Sequence, residues 1–228
     1  MTRQISLMIV EILWVLCFAA IVAHAAVPTY PLFPDGGRLA IQDDAGTVSL
    51  AKLEAISPGH ERAWIKTEPD VPIWTITILD PDRNKHTVTA LDGKGTVRAV
   101  SADRLVMEWN GLPPGGLRVV AEISVSGSDL VWKLETELSG PGYILWDIVY
   151  PEIGPISLHG DAHSIEPWGW GVLRKDLMDR RDERTYPSAA QAMPFVAVSD
   201  GETGLYIGAH DREGYPMKFI MGKRENED

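Results

Sequence analysis

Cysteine is nearly absent. The chain has 228 residues and one cysteine, Cys17, which falls inside an apolar N-terminal stretch. Leu16 stands before it, where a lipoprotein acceptor has a small residue. Disulfides, thiolate metal sites and cysteine nucleophiles are therefore excluded from the rest of the chain, whose stability must come from its core. Basic charge is short as well: Lys and Arg number 21 against 32 Asp and Glu, a formal net charge of -11. A nucleic-acid binder needs a basic face to neutralise phosphate, and an anionic membrane surface repels an acidic protein. Neither partner is expected. There is one long hydrophobic run, which excludes a multi-span membrane protein. No segment before residue 170 has a convincing 3.6-residue period. The Gly-x-Gly-x-x-Gly, Walker and Gly-x-Ser-x-Gly patterns are missing, so no nucleotide cofactor and no serine nucleophile is assigned. No Asn-x-Ser/Thr acceptor occurs.

What is there begins with an address. Arg3 precedes an apolar stretch from Ile5 to Val22, interrupted by Glu11, and Ala23-His24-Ala25 closes it. This is the layout of a secretory signal. Cleavage after Ala25 leaves residues 26–228 as one domain in the secreted or periplasmic space. An uncleaved N-terminal anchor is the alternative.

The chain then alternates. Arg38 to Gln42 alternates ahead of a turn at 43–46. Trp74, Ile76 and Ile78 share a face opposite Thr75 and Thr77. Leu105, Met107 and Trp109 form another such row, as do Leu117, Val119, Ala121, Ile123 and Val125. After the turn Gly127-Ser128-Asp129 come Leu130, Trp132, Leu134, Thr136 and Leu138. Period-two patterns separated by Gly, Pro, Asn and Asp predict antiparallel strands with one wet face. The run Tyr143 to Tyr150 is more continuously apolar, interrupted at Asp147, which predicts a central strand. Residues 155–187 are dense in Gly, Pro, Trp, His and charge, with a short charged helix expected over 173–184. Strand pattern returns at 193–198 and 204–209. The expected fold is all-β: a large antiparallel β-sandwich.

Several side chains carry chemistry. Trp168 and Trp170, each followed by glycine, offer indole faces that stack on the apolar C–H faces of sugars. The alternative is that they cap the core, as Trp74 and Trp132 are expected to do. Gln191 either hydrogen-bonds sugar hydroxyls through its amide or caps a strand start. His210-Asp211 ends a strand, and neighbours on a strand point apart, so a loop-binding corner is expected rather than a catalytic pair. Lys218 is an exposed strand charge or a partner of Asp211. His159, Asp161 and His163 are spaced two apart, as chelation requires, but nothing further completes a tetrahedral site, and no metal is expected. Glycoside hydrolysis needs two carboxylates roughly 5–10 Å apart. Asp147, Glu152, Asp161 and Glu166 are available, and spacing selects no pair, so no catalytic residue is assigned.

The stretch Tyr186-Pro187 through Gln191, Met193-Pro194-Phe195, Gly204-Leu205-Tyr206 and His210-Asp211, then Lys218-Phe219, resembles a known pattern. With Pro72-Ile73-Trp74, Trp109, Trp132 and Val149-Tyr150-Pro151 upstream, it is similar to the N-terminal β-sandwich of a group of secreted bacterial glycoside-hydrolase-like proteins. The resemblance covers roughly residues 34–220. It implies a galactose-mutarotase-like supersandwich, incomplete at its C-terminus, that precedes a (β/α)8 barrel holding the catalytic carboxylates. It implies a non-catalytic domain, carbohydrate as the ligand and the missing barrel as partner. Trp168, Trp170, Tyr186, Gln191, His210, Asp211 and Lys218 would face the sugar or the barrel. A stand-alone carbohydrate-binding or mutarotase-like protein is the alternative.

Overall fold

The computed structural model describes residues 27–57, 60–63, 71–156, 162–167, 171–174, 182–188, 193–199, 204–209 and 216–221. Strands β1 (Thr29–Leu32), β2 (Gly37–Asp44), β3 (Thr47–Ser57) and β4 (His60–Ala63) pair in that order. Strands β5 (Thr75–Leu79) and β6 (Lys85–Thr89) form a hairpin. Strands β7 (Gly95–Ser101), β8 (Arg104–Leu112), β9 (Leu117–Ser126) and β10 (Asp129–Leu138) make a four-stranded meander, and β11 (Ile144–Val149) returns to pair with β5. Strands β12 (His163–Glu166), β13 (Val172–Arg174), β15 (Phe195–Ser199) and β16 (Gly204–Gly208) form a sheet in the order β13-β12-β15-β16. Strand β14 (Asp182–Tyr186) pairs with β17 (Met217–Met221). Among the described residues every ladder is antiparallel and no helix is long and apolar enough to cross a membrane. The fold is the all-β antiparallel sandwich that the alternation predicts.

The alternation drives the packing. Leu105, Met107 and Trp109 of β8 lie opposite Ile123, Ala121 and Val119 of β9, and all six are buried. Leu39, Ile41 and Val48 from the first sheet and Trp74, Ile76, Ile78 and Val88 from the hairpin sheet complete one core. Each such side chain stabilises the fold by about 1.5–3 kcal/mol through the water it sheds. At the centre, Trp74 and Trp109 meet edge to face with ring centroids 5.3 Å apart. Trp109 Nε1 donates to the Ala90 carbonyl at 3.1 Å. Gly95 makes room: a Cβ there would sit 2.7 Å from the Trp109 indole.

Two expectations fail. Residues 144–149 form an edge strand, paired among the described residues with β5 alone. A nearly continuous apolar run reads as a strand buried on both faces, yet Ile144, Leu145, Trp146 and Ile148 are exposed. Trp146 is the extra residue of a bulge between Leu145 and Asp147, and Lys85 Nζ lies 5.2 Å from its ring centroid. The predicted helix over 173–184 is also overturned where the chain is described. Residues 172–174 pair with β12 and residues 182–184 pair with β17 as strands. Cross-strand pairing prevails there over a weak helical spacing of Leu173 and Leu177, and residues 175–181 lie outside the described set.

Candidate functional site

The sheet of β12, β13, β15 and β16 buries polar side chains beside apolar ones on its inner face. Its inner face meets the core through Val198 and Leu205 and buries Val196. That same face buries Ser164 and Glu166. Ser164 Oγ donates to Glu166 Oε1 at 2.9 Å, and Arg174 Nε lies 3.6 Å from Glu166 Oε2. A buried carboxylate needs such partners, because desolvation penalises an uncompensated charge.

The outer face carries an exposed apolar row. Register places Leu173, Ile165, Ala197 and Tyr206 in one row across the four strands. Leu173 is 57% exposed, Ile165 41% and Tyr206 59%. Tyr206 lies down across Gly208, where a Cβ would sit 2.5 Å from its hydroxyl oxygen and within 2.8 Å of ring carbons. Glycine at 208 is what allows the ring to lie on the sheet. Phe195 pairs with Gly208, and its ring centroid is 5.3 Å from that of Tyr206 with the planes 32° apart. Two rings at a shallow angle, one open to water, make a platform. A platform of this kind stacks on flat apolar surfaces.

The sequence-predicted residues fall around this sheet. Trp168, Trp170, Gln191, His210 and Asp211 lie outside the described residues. The strand ends that flank them in sequence are described: Glu166 and Val172 pair with each other, and Phe195 pairs with Gly208. Since Ile165 pairs with Ala197, these four ends gather at the same end of the sheet. Tyr186 and Lys218 lie elsewhere, on the β14–β17 ladder. Tyr186 is half-buried opposite Met217, and Lys218 Nζ forms an exposed ion pair with Glu183 at 2.7 Å. Tyr206, Phe195, Ile165 and Leu173 went unassigned by sequence reasoning. The alternation around Leu205-Tyr206-Ile207 was the available signal, since it puts Tyr206 on the face opposite its aliphatic neighbours.

The carboxylates have separate settings. Glu166 belongs to its ion pair, and Asp147 is exposed on the edge strand β11. Glu152 is half-buried and accepts the Thr75 hydroxyl at 2.5 Å. Burial pushes its carboxyl above the usual range, with the Thr75 bond working in the other direction. A raised folded-state value favours the fold while the group is protonated and loses that advantage as pH rises. Glu152→Gln is therefore expected to exceed the wild type in thermal stability at pH 7. The gap should close on acidification below the normal glutamate value. Equal melting temperatures at both pH values would contradict this.

A histidine facing a carboxylate does occur, at the β5–β6 turn. Asp80 accepts from His86 Nε2 at 2.9 Å and from the Asn84 amide N–H at 2.8 Å. The His86 bond, then those to Asn84, hold its carboxyl down to about 2. These bonds close a hairpin in which Arg83 has a φ of 69°, and turn chemistry accounts for them. Of the His159, Asp161 and His163 trio, His163 alone is described, half-buried on β12. Among the described residues no three metal-capable side chains come together.

Compared with known proteins, the chain matches no protein-family model and no curated protein.

Proposed function

We propose that the chain is a non-catalytic, carbohydrate-associated β-sandwich domain of the secreted glycoside-hydrolase-like kind. On this reading it is related to the galactose-mutarotase supersandwich and walls a sugar cleft beside a (β/α)8 barrel. It acts outside the cytoplasm once the signal is cleaved after Ala25. The observation that carries the reading is the platform of Tyr206 and Phe195 at the end of an exposed apolar row. Pyranose rings have an apolar C–H face that an open aromatic ring accepts, while the hydroxyls stay in water. Trp168, Trp170, Gln191, His210 and Asp211 adjoin in sequence the strand ends beside that platform. They would supply further stacking and hydrogen bonds.

The work is holding and shaping, not cleavage. No carboxylate pair is assigned, and Glu152 and Glu166 have structural partners. The partner barrel draws support from a second surface. An edge strand with Ile144, Trp146 and Ile148 exposed is a liability unless another element covers it. A stand-alone carbohydrate-binding or mutarotase-like protein has no need of that edge.

Affinity gel electrophoresis through a panel of neutral soluble polysaccharides tests the reading. The wild type is expected to be retarded by at least one. Tyr206→Ala should weaken that retardation about tenfold, since it removes a stacking ring from an exposed position with little cost to the fold. Equal mobility in every polysaccharide, or equal retardation of the variant, would contradict it.

A further inference from the structure

The meander β10-β9-β8-β7 has a second, quite different outer face. Register sets Arg98, Val106, Glu122 and Lys133 in one row across the four strands. Val120 and Glu135 pair in the next row. Together with Arg104 these residues line a hollow of about 280 Å³. Val106 and Val120 give it an apolar floor, and charged side chains form its walls.

The charges are unevenly committed. Arg104 Nη2 donates to Glu122 Oε2 at 2.7 Å, so that pair neutralises itself. Below the hollow, Arg118 donates to Glu108 Oε1 through Nε at 3.0 Å and Nη2 at 2.8 Å. Arg98 and Lys133 make no ion pair among the described residues. Both are exposed, and they enter the hollow from opposite outer strands. A chain of net charge -11 thus places two exposed cations on either side of a small concave surface. Glu135 is the one acid in the lining outside the Arg104 pair.

We infer that this hollow binds the carboxylate of an acidic sugar, a uronic acid residue of a glycan. The inference rests on the carbohydrate-associated reading above and names a ligand class for a separate surface. The chemistry matches in three ways. Arg98 presents an exposed guanidinium fork, which can donate two parallel hydrogen bonds to a carboxylate. Lys133 adds a point charge from the far side. Glu122 and Glu135 accept from sugar hydroxyls, and the valine floor takes the C–H face. The volume suits a single sugar ring rather than a long segment.

The test uses the full chain and the doubly substituted Arg98→Ala/Lys133→Ala. Polygalacturonate, alginate and hyaluronan are compared with their methyl-esterified forms in affinity electrophoresis. Esterification removes the carboxylate charge and keeps the backbone. The inference predicts that at least one free acid retards the wild type about tenfold more than its ester does. The double variant should lose that difference, and Tyr206→Ala should keep it. Arg118→Ala removes a cation from the same face outside the hollow and should also keep it. Equal retardation by acid and ester, or an unchanged double variant, overturns the inference. If neutral polysaccharides still bind through Tyr206 in that case, the inference falls alone. If no glycan of either kind binds, both readings fall.

Discussion

Trp109→Ala should lower the unfolding free energy by about 3–5 kcal/mol, the range for emptying a large buried aromatic site. That is a large share of the stability a domain of this size has to lose. Trp109 is fully buried and meets Trp74 edge to face. Its strand neighbours are held by two ladders, so the backbone has little freedom to collapse into the void. The substitution also removes the donor to the Ala90 carbonyl, which closes the loop after β6. Trp109→Phe separates the two effects. It keeps an aromatic ring, loses the N–H, and should cost less than the alanine variant. Urea denaturation followed by far-ultraviolet circular dichroism reads both. A cost below about 1 kcal/mol for Trp109→Ala, well short of the range for a buried aromatic, would mean that the core is not centred on this residue.

The second large effect lies in the β12-β13 hairpin. Arg174→Met should cost about 3–5 kcal/mol, because it removes the ion-pair partner of a buried carboxylate. The pair itself is not expected to be worth that much. Desolvating both ions offsets most of their attraction, and the penalty comes from burying one charge without the other. Arg174→Met combined with Glu166→Leu should therefore recover most of the loss. Thermal melts of the two single variants and the double variant form the cycle. Losses that simply add in the double variant would show that Arg174 and Glu166 do not act as a pair.

The first half of the chain was legible because its signals are long and regular. Five consecutive alternate positions in β9, from Leu117 to Val125, leave little room for another register. The buried face of β8 was legible for the same reason. The edge position of β11 was not. Apolar content reports that a surface gets covered, not what covers it, and the run from Ile144 to Val149 reads the same at a sheet's centre or at its edge. Strands of three to five residues such as β12 and β13 are too short for a period to emerge. Their pairing comes from partners far along the chain, which no local pattern encodes.

The site was legible in part. Sequence reasoning chose tryptophans and polar residues because their chemistry is conspicuous. It passed over Tyr206, whose use depends on Gly208 two residues later and on Phe195 across the ladder. The inward turn of Ser164 and Glu166 was invisible too. In the sequence Glu166 was one of several available carboxylates, and Leu173 belonged to a short charged helix. Folding buries Glu166 and leaves Ile165 and Leu173 exposed, which points to the outer face as a place of contact.

The central claim is that this outer face takes the sugar. The direct measurement is chemical-shift mapping of the isotope-labelled chain as a neutral oligosaccharide from a retarding polysaccharide is added. The account predicts saturable shifts concentrated at Ile165, Leu173, Phe195, Ala197 and Tyr206, with the inner row of Val196 and Val198 little changed. Shifts confined to other sheets, or none at ligand concentrations that saturate retardation in the gel, would contradict it.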